Sequence, residues 1–170
     1  MTTAQDDARR EEVAMETVGH HYIVEGSGCN PEVISRVEQV EQIMVRAAEV
    51  ADVQVWAISF HRFRPTGVSG VVVISESHLS VHTWPEVGYV ALDIFTCGDR
   101  AKPEAAVLYA LKELGAATMH ITEVTRGIDE GDKAFYHSMI TWEETIPDNI
   151  LNHKPRRRRR RPAHRVKVPS

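Results

Sequence analysis

Residues 67–98 read GVSGVVVISESHLSVHTWPEVGYVALDIFTCG, and this stretch decides the fold class. Four runs rich in Val, Ile, Phe and Thr lie within it or just before it, at residues 54–63, 70–75, 79–84 and 89–97. β-Branched and aromatic residues are typical of strands, and the turn sequence Pro85-Glu86-Val87-Gly88 separates the last two runs. The stretch therefore predicts consecutive antiparallel strands joined by short turns.

Two segments outside these runs have the spacing of helices that cover one face of a sheet. Asn30-Pro31-Glu32 supplies an N-cap, a first-turn proline and a first-turn acid. The helix that follows ends near Ala51, and its apolar stripe is Val33, Val37, Val40, Met44 and Ala47. A second helix begins at Pro103 and ends at Gly115, with the stripe Val107, Leu108, Leu111 and Leu114.

Three further segments, at residues 21–25, 118–124 and 135–142, have strand character. The order is then strand, helix, several strands, helix, strand. It predicts an α+β fold, a two-layer sandwich of an antiparallel sheet with two helices on one face.

The chain has 170 residues, which suits one domain with a real core. We expect a disordered leader at residues 1–18, a folded domain at 19–150 and a disordered Arg-rich tail at 151–170. The formal net charge of −4 conceals an acidic body, because residues 154–170 hold nine basic and no acidic side chains. Two cysteines and the lack of an apolar leader predict a cytoplasmic protein.

Polar residues in the central strands share one face. If the apolar residues of 79–81 point into the core, His78, Ser80 and His82 point away from it. On the later strand, Val90, Leu92 and Ile94 face the core, which leaves Tyr89, Asp93 and Cys97 on the opposite side. If the two strands are neighbours, His82 and Cys97 face a common cleft with Ser77 at its edge.

Several interpretations of this pattern compete. Serine and histidine on the outer face of a sheet are ordinary surface residues, and a buried cysteine is often only a small apolar one. A zinc site from His78, His82 and Cys97 is disfavoured, because residues four apart on a strand are about 13 Å apart. A Ser-His-acid hydrolase lacks the G-x-S-x-G elbow. Sequence-specific nucleic-acid binding through the arginine run conflicts with the acidic body and with the lack of interleaved aromatics, which leaves only weak contacts of the tail with RNA.

The sequence ISESHLSVHTWPE at 74–86, with FHRFRPTGVSG at 60–70 and DIFTCG at 93–98, resembles the bacterial and archaeal S-adenosylmethionine decarboxylases. The resemblance runs from about residue 19 to 127. It implies a proenzyme that cleaves itself between Glu76 and Ser77. Ser77 then becomes a pyruvoyl group, which forms a Schiff base with the substrate amine and serves as cofactor without any metal.

The same resemblance implies roles for other residues. His82 removes the Ser77 α-proton during processing, Ser69 supports processing through a hydrogen bond, and Cys97 protonates the carbanion left after decarboxylation. Phe63 stacks on the adenine and Glu86 holds the ribose hydroxyls of S-adenosylmethionine. The implied assembly is an (αβ)₂ dimer, and the implied product is the aminopropyl donor for spermidine synthesis.

An alternative with the same cleavage motif is a pyruvoyl-dependent arginine or ornithine decarboxylase. A nucleoside needs a flat apolar slot and a diol acceptor, whereas a basic amino acid needs carboxylates at its far end. Glu86 suits either ligand. The sequence Gly26-Ser27-Gly28 replaces the aromatic or acidic stretch usual in relatives, and it changes the pocket if that loop borders it.

Overall fold

The computed structural model describes residues 17–75, 77–97, 101–129, 131 and 134–145. Its strands are β1 (Gly19–Ser27), β2 (Val55–Arg62), β3 (Val68–Ile74), β4 (Ser77–Trp84), β5 (Tyr89–Cys97), β6 (Thr118–Asp129) and β7 (Phe135–Thr145). Within these residues the strands form one seven-stranded sheet in the order β2-β3-β4-β5-β1-β6-β7. Every neighbouring pair is antiparallel.

Helices cover one face of this sheet. The helices of the described residues are α1 (Pro31–Ile34), α2 (Val37–Val50) and α3 (Pro103–Glu113). Residues of α2 and α3 and the inward-facing residues of the strands form one buried cluster that includes Met44, Leu79, Leu92, Ile94 and Leu111. The predicted α+β sandwich with helices on one face is therefore confirmed.

The first helix differs from its prediction, because the segment forms two helices instead of one. Asn30 caps α1 as expected, with its side-chain oxygen accepting from the Glu32 N–H at 3.0 Å. The helix then stops at Ser35, whose hydroxyl donates to the Glu32 carbonyl at 3.2 Å, a bond that competes with the helix backbone. Arg36 is extended, with φ −106° and ψ 117°, and α2 begins after it.

The break allows α1 to be bonded to the sheet. Thr83 of β4 is fully buried, and its hydroxyl donates to the Ile34 carbonyl at 2.7 Å. The same oxygen accepts from the Val68 N–H at 2.8 Å. One threonine thus joins α1, β3 and β4, and its buried hydroxyl is fully bonded, as burial of a polar group requires.

The two faces of the sheet have opposite characters, as alternation predicted. Leu79 and Val81 of β4 and Leu92 of β5 are buried beneath the helices. Side chains of opposite parity lie on the other side, which we call the open face; they include His21, Ile23, Ser69, Val73, His78, Ser80, His82, Asp93, Phe95 and Cys97. Ile23 is 38 % and Val73 37 % exposed there. This face carries the candidate chemistry.

The last two strands are confirmed and are longer than predicted. The expected leader and tail lie outside the described residues, apart from the end of the leader at residues 17 and 18, and so does Glu76. Among the helices of the described segments, none has the length and apolar character that crossing a membrane requires.

Candidate active site

Ser77 is the first residue of β4 and is half-buried. Its Oγ lies 3.2 Å from Nδ1 of the next residue, His78. Strand β4 pairs with β3 on one side, where Ile74 is the partner of Ser77. The candidate nucleophile therefore stands at the end of a sheet strand, against an imidazole.

Cys97 is the last residue of β5 and lies at the same end of the sheet as Ser77. His78 pairs with Phe95, so Cys97 is two residues beyond the partner of His78. On its other side Cys97 pairs with Gly19. A Cβ atom at Gly19 would lie 2.8 Å from Cys97 Sγ, so the missing side chain makes room for the thiol. We call Ser77, His78 and Cys97 the cleavage end.

Phe95 organises the side chains beside the cleavage end. His78 meets its ring at a steep angle with centroids 6.4 Å apart, and His21 lies at 5.5 Å. The Arg126 guanidinium lies 4.6 Å from the Phe95 centroid, within cation–π range. Burial lowers the pKa of His21, although Asp93, whose Oδ1 lies 3.3 Å from His21 Nε2, opposes this effect.

The remaining predicted site residues gather at the opposite end of β4, which we call the binding end. Ser69 on β3 is the direct partner of His82, and its Oγ lies 2.8 Å from His82 Nδ1. His82 is exposed on the open face. The ring of His82 also lies 6.3 Å from the ring of Trp84.

Three aromatic rings also lie at the binding end. Phe63, just after β2, meets Trp84 edge-on at 6.3 Å, and Trp84 stacks on Tyr89 at 4.9 Å with 25° between the planes. The Tyr89 hydroxyl donates to Glu25, and burial together with this contact raises its pKa to about 12. Edge-on and stacked contacts of this kind fix ring orientation.

Glu86 is exposed in the short 3₁₀ turn Pro85–Val87 that follows Trp84. Its Oε2 accepts from the Thr66 hydroxyl at 3.3 Å, in the turn that also holds Phe63. Phe63 and Glu86 therefore lie on neighbouring turns at the binding end. The Gly26-Ser27-Gly28 sequence is close by, since Ser27 pairs with Tyr89, but Gly26 faces Leu111 and Val90 of the core.

The convergence of His82 with Ser77 and Cys97 does not occur within one chain. His82 and Cys97 share the open face and their strands are neighbours, as predicted. His82 pairs with Ala91, however, six residues before Cys97, a distance of about 20 Å along a strand. Ser77 and His82 are five residues apart on β4, about 17 Å. The zinc alternative fails for the same reason, and the described residues hold no group of three or more metal-ligand side chains.

The model of the family described as S-adenosylmethionine decarboxylase matches residues 20–127. This chain belongs to that family. It is accordingly an enzyme of the carboxy-lyase class.

Two curated relatives, both named S-adenosylmethionine decarboxylase proenzyme, illustrate the similarity. The protein from Thermococcus kodakarensis is 51 % identical over 135 residues, which are 79 % of this chain and 94 % of the relative. The protein from Moorella thermoacetica is 48 % identical over 120 residues, 71 % of this chain and 96 % of the relative. The crystal structure of the adenosylmethionine decarboxylase from Aquifex aeolicus matches with a TM-score of 0.56 and 28 % identity, covering 81 % of this chain and 99 % of that one.

Trp84, Arg126 and His21 belong to the site but are not among the predicted site residues. Trp84 is predictable from alternation, since it has the same parity as His78 and His82. Arg126 and His21 are not, because their approach to Phe95 depends on the pairing of β1 with both β5 and β6. A strand order of this kind is set by long-range contacts that no local pattern encodes.

Proposed function

We propose that this chain is a self-cleaving proenzyme whose mature form decarboxylates S-adenosylmethionine through a pyruvoyl group derived from Ser77. The observation that carries the proposal is the cleavage end, where the Ser77 hydroxyl meets an imidazole at 3.2 Å beside Cys97. The family of this chain and the names of its relatives support decarboxylation of S-adenosylmethionine at this site.

The residues present fit such a group. Ser77 supplies all its carbon atoms, and its half-buried place at the start of β4 limits access of water. Its hydroxyl attacks the preceding carbonyl to give an ester. Loss of the α-proton then expels the carboxylate of residue 76 and leaves dehydroalanine, which water hydrolyses to the pyruvoyl group and ammonia. A pyruvoyl carbonyl there would supply an electron sink for the electrons that carbon dioxide leaves behind.

Cys97 is the proposed proton donor in decarboxylation. A general acid must reach the reacting carbon, and Cys97 lies at the same end of the sheet as Ser77. Gly19, across from it, leaves space around the thiol. Cys29, by contrast, is buried away from this face, and its pKa is raised to about 11 by burial.

His82 is the proposed acceptor of the Ser77 α-proton, with Ser69 holding its ring. A base must come within about 3 Å of the proton that it removes, yet His82 is about 17 Å from Ser77 along its own strand. In a dimer, His82 of the second copy can lie near Ser77 instead. In an isologous dimer a residue i that meets residue j of the partner is matched by j meeting i.

We therefore propose an (αβ)₂ dimer in which two open faces meet. The cleavage end of each protomer then faces the binding end of the other, and each of the two sites contains Ser77 and Cys97 from one chain with Ser69 and His82 from its partner. Exposed apolar side chains on this face, Ile23 and Val73, support such a contact because burying them is favourable. Both sites are complete only in the dimer.

The binding end supplies features that suit a nucleoside. Phe63 is held edge-on by Trp84 and offers a ring for adenine, while Glu86 offers a carboxylate for the ribose diol. Aromatic rings also attract a sulfonium through cation–π interaction. The names of the relatives favour this substrate over arginine or ornithine. The product would serve as the aminopropyl donor for spermidine synthesis in the cytoplasm.

The substrate is tested by carbon dioxide release from carboxyl-labelled S-adenosylmethionine, arginine and ornithine, with one purified sample. We expect release from S-adenosylmethionine alone, and none from a Ser77→Ala variant. Preferred release from arginine or ornithine would contradict the proposed substrate while leaving self-cleavage intact.

A further inference from the structure

We propose that His78 is the general base of the first step of self-cleavage, accepting the proton of the Ser77 hydroxyl as that oxygen attacks. This rests on the proposed self-cleavage. It extends that proposal by giving a role to His78, to which the family resemblance assigns none.

The contact between the two residues is unusual for a strand. Consecutive side chains of a strand point to opposite faces, so Ser77 and His78 should diverge. Ser77 begins β4, however, and its Oγ lies 3.2 Å from His78 Nδ1. A general base must lie within hydrogen-bond reach of the proton that it removes, and this distance is at the limit of that range.

The His78 ring is held in place by neighbours on other strands. Phe95, its direct partner on β5, meets it at 65° with centroids 6.4 Å apart. Phe95 is contacted in turn by His21 from β1 and Arg126 from β6. Asp93, two residues before Phe95, faces His21. Asp93, His21 and Arg126 are thus charged or titratable groups near His78 among the described residues, and the contacts with Phe95 support the ring that places Nδ1 beside Ser77.

Two different protons leave Ser77 in the proposed maturation. One is on Oγ and is lost during attack, and the other is on Cα and is lost during elimination. His82, bonded to Ser69 at the binding end, would reach Ser77 only from the partner subunit. His78 touches Oγ within the same chain. The geometry thus divides the two proton transfers between two histidines.

The step balances without any co-reactant. Ser77 Oγ forms a bond to the carbonyl carbon of the preceding peptide bond while His78 Nδ1 takes the hydroxyl proton. The carbon–nitrogen bond then breaks, and the imidazolium returns that proton to the Ser77 nitrogen. An amide has become an ester and an amine, and His78 is neutral again.

Hydroxylamine distinguishes the two steps, because it cleaves esters and leaves amides intact under mild conditions. We compare full-length wild type, His78→Asn, His78→Ala and His82→Ala, with His20→Asn as the matched control. His20 is an exposed histidine of β1 whose Nδ1 lies 3.2 Å from Glu123, and strand β5 separates it from β4 and Ser77. Chains are analysed by intact mass with and without hydroxylamine.

We expect His82→Ala to accumulate an ester that hydroxylamine cleaves, and both His78 variants to remain amides that resist it. Their spontaneous cleavage should fall on the order of 100-fold, the usual effect of losing a general base. Asparagine keeps an acceptor near the place of Nδ1 without a proton-accepting nitrogen, so His78→Asn separates proton transfer from positioning.

The assay uses the folded fraction from size-exclusion chromatography. If His78→Ala does not fold, the milder His78→Asn variant still tests the proposal. Cleavage of His78→Asn at the wild-type rate, or accumulation of an ester in it, would overturn the role of His78. Failure of wild type to cleave would instead overturn the proposed function.

Discussion

The Ser69 hydroxyl lies 2.8 Å from Nδ1 of His82, its direct partner on the neighbouring strand. When His82 Nδ1 donates to this hydroxyl, the lone pair of Nε2 is left to accept a proton. In that arrangement the bond orients the ring and leaves Nε2 as the basic nitrogen. It lies at the binding end, so in the proposed dimer it acts on Ser77 of the partner subunit.

Ser69→Ala should slow self-cleavage on the order of 10-fold, because His82 loses the bond that orients its ring. The measurement is the fraction of cleaved chain against time after synthesis or refolding. Ser80→Ala is the matched control, since Ser80 is on the same face but donates to Asp93 at 3.4 Å. Equal slowing in both variants would indicate a general effect on the sheet.

Co-expression of two inactive variants tests the composite site. Neither Ser77→Ala nor His82→Ala should cleave alone, but a mixed dimer contains one intact site, with Ser77 of one chain and His82 of the other. With random pairing about half of the His82→Ala chains are in mixed dimers and should be cleaved. Different affinity tags identify each chain by mass. Absence of cleavage in mixed dimers isolated by both tags would show that one chain supplies both residues.

Cys97→Ala should lower kcat for carbon dioxide release on the order of 100-fold, because the carbanion loses its proton donor. Activity is expressed per pyruvoyl group, so that any change in processing is counted separately. Cys29→Ala is the control for loss of a thiol; Cys29 is 3 % exposed and belongs to the core. It should cost about 1 kcal/mol of stability and leave kcat within about 2-fold.

His21 gives the fold a defined pH dependence. Burial lowers its pKa, so near the ordinary value of about 6.5 the unfolded chain binds more protons than the folded one. The stabilising contribution of neutral His21 is complete above that value and declines as the pH falls below it. The difference in Tm between about pH 8 and pH 5.5 should therefore shrink in His21→Gln. An unchanged difference would show that His21 contributes none of it.

Much of the fold follows from local sequence patterns. Alternation in residues 77–97 gives the buried and open faces, and Asn30 and Gly115 mark where helices begin and end. The break at Ser35 and Arg36 is not encoded in the apolar spacing, because it depends on the bond from Thr83 to Ile34, residues 49 apart in sequence. Tertiary contacts of this kind override local propensity.

The candidate site follows only in part. Strand parity places His82 and Cys97 on one face, but their separation depends on register, and β4–β5 pairing sets His82 opposite Ala91. Alternation does not encode that register, so the sequence pattern alone predicts a cleft within one chain. The contact of His78 with Ser77 also contradicts simple alternation, since it arises where the strand begins.

Ser77 should become the pyruvoyl terminus of a second chain, which intact mass spectrometry of the purified protein measures without any assay of activity. We expect two chains, residues 1–76 and 77–170, with the second lighter than its serine-started form by one ammonia, and a single intact chain for Ser77→Ala. A wild-type protein that remains one chain of 170 residues, or a second chain that keeps an unmodified serine, would contradict it.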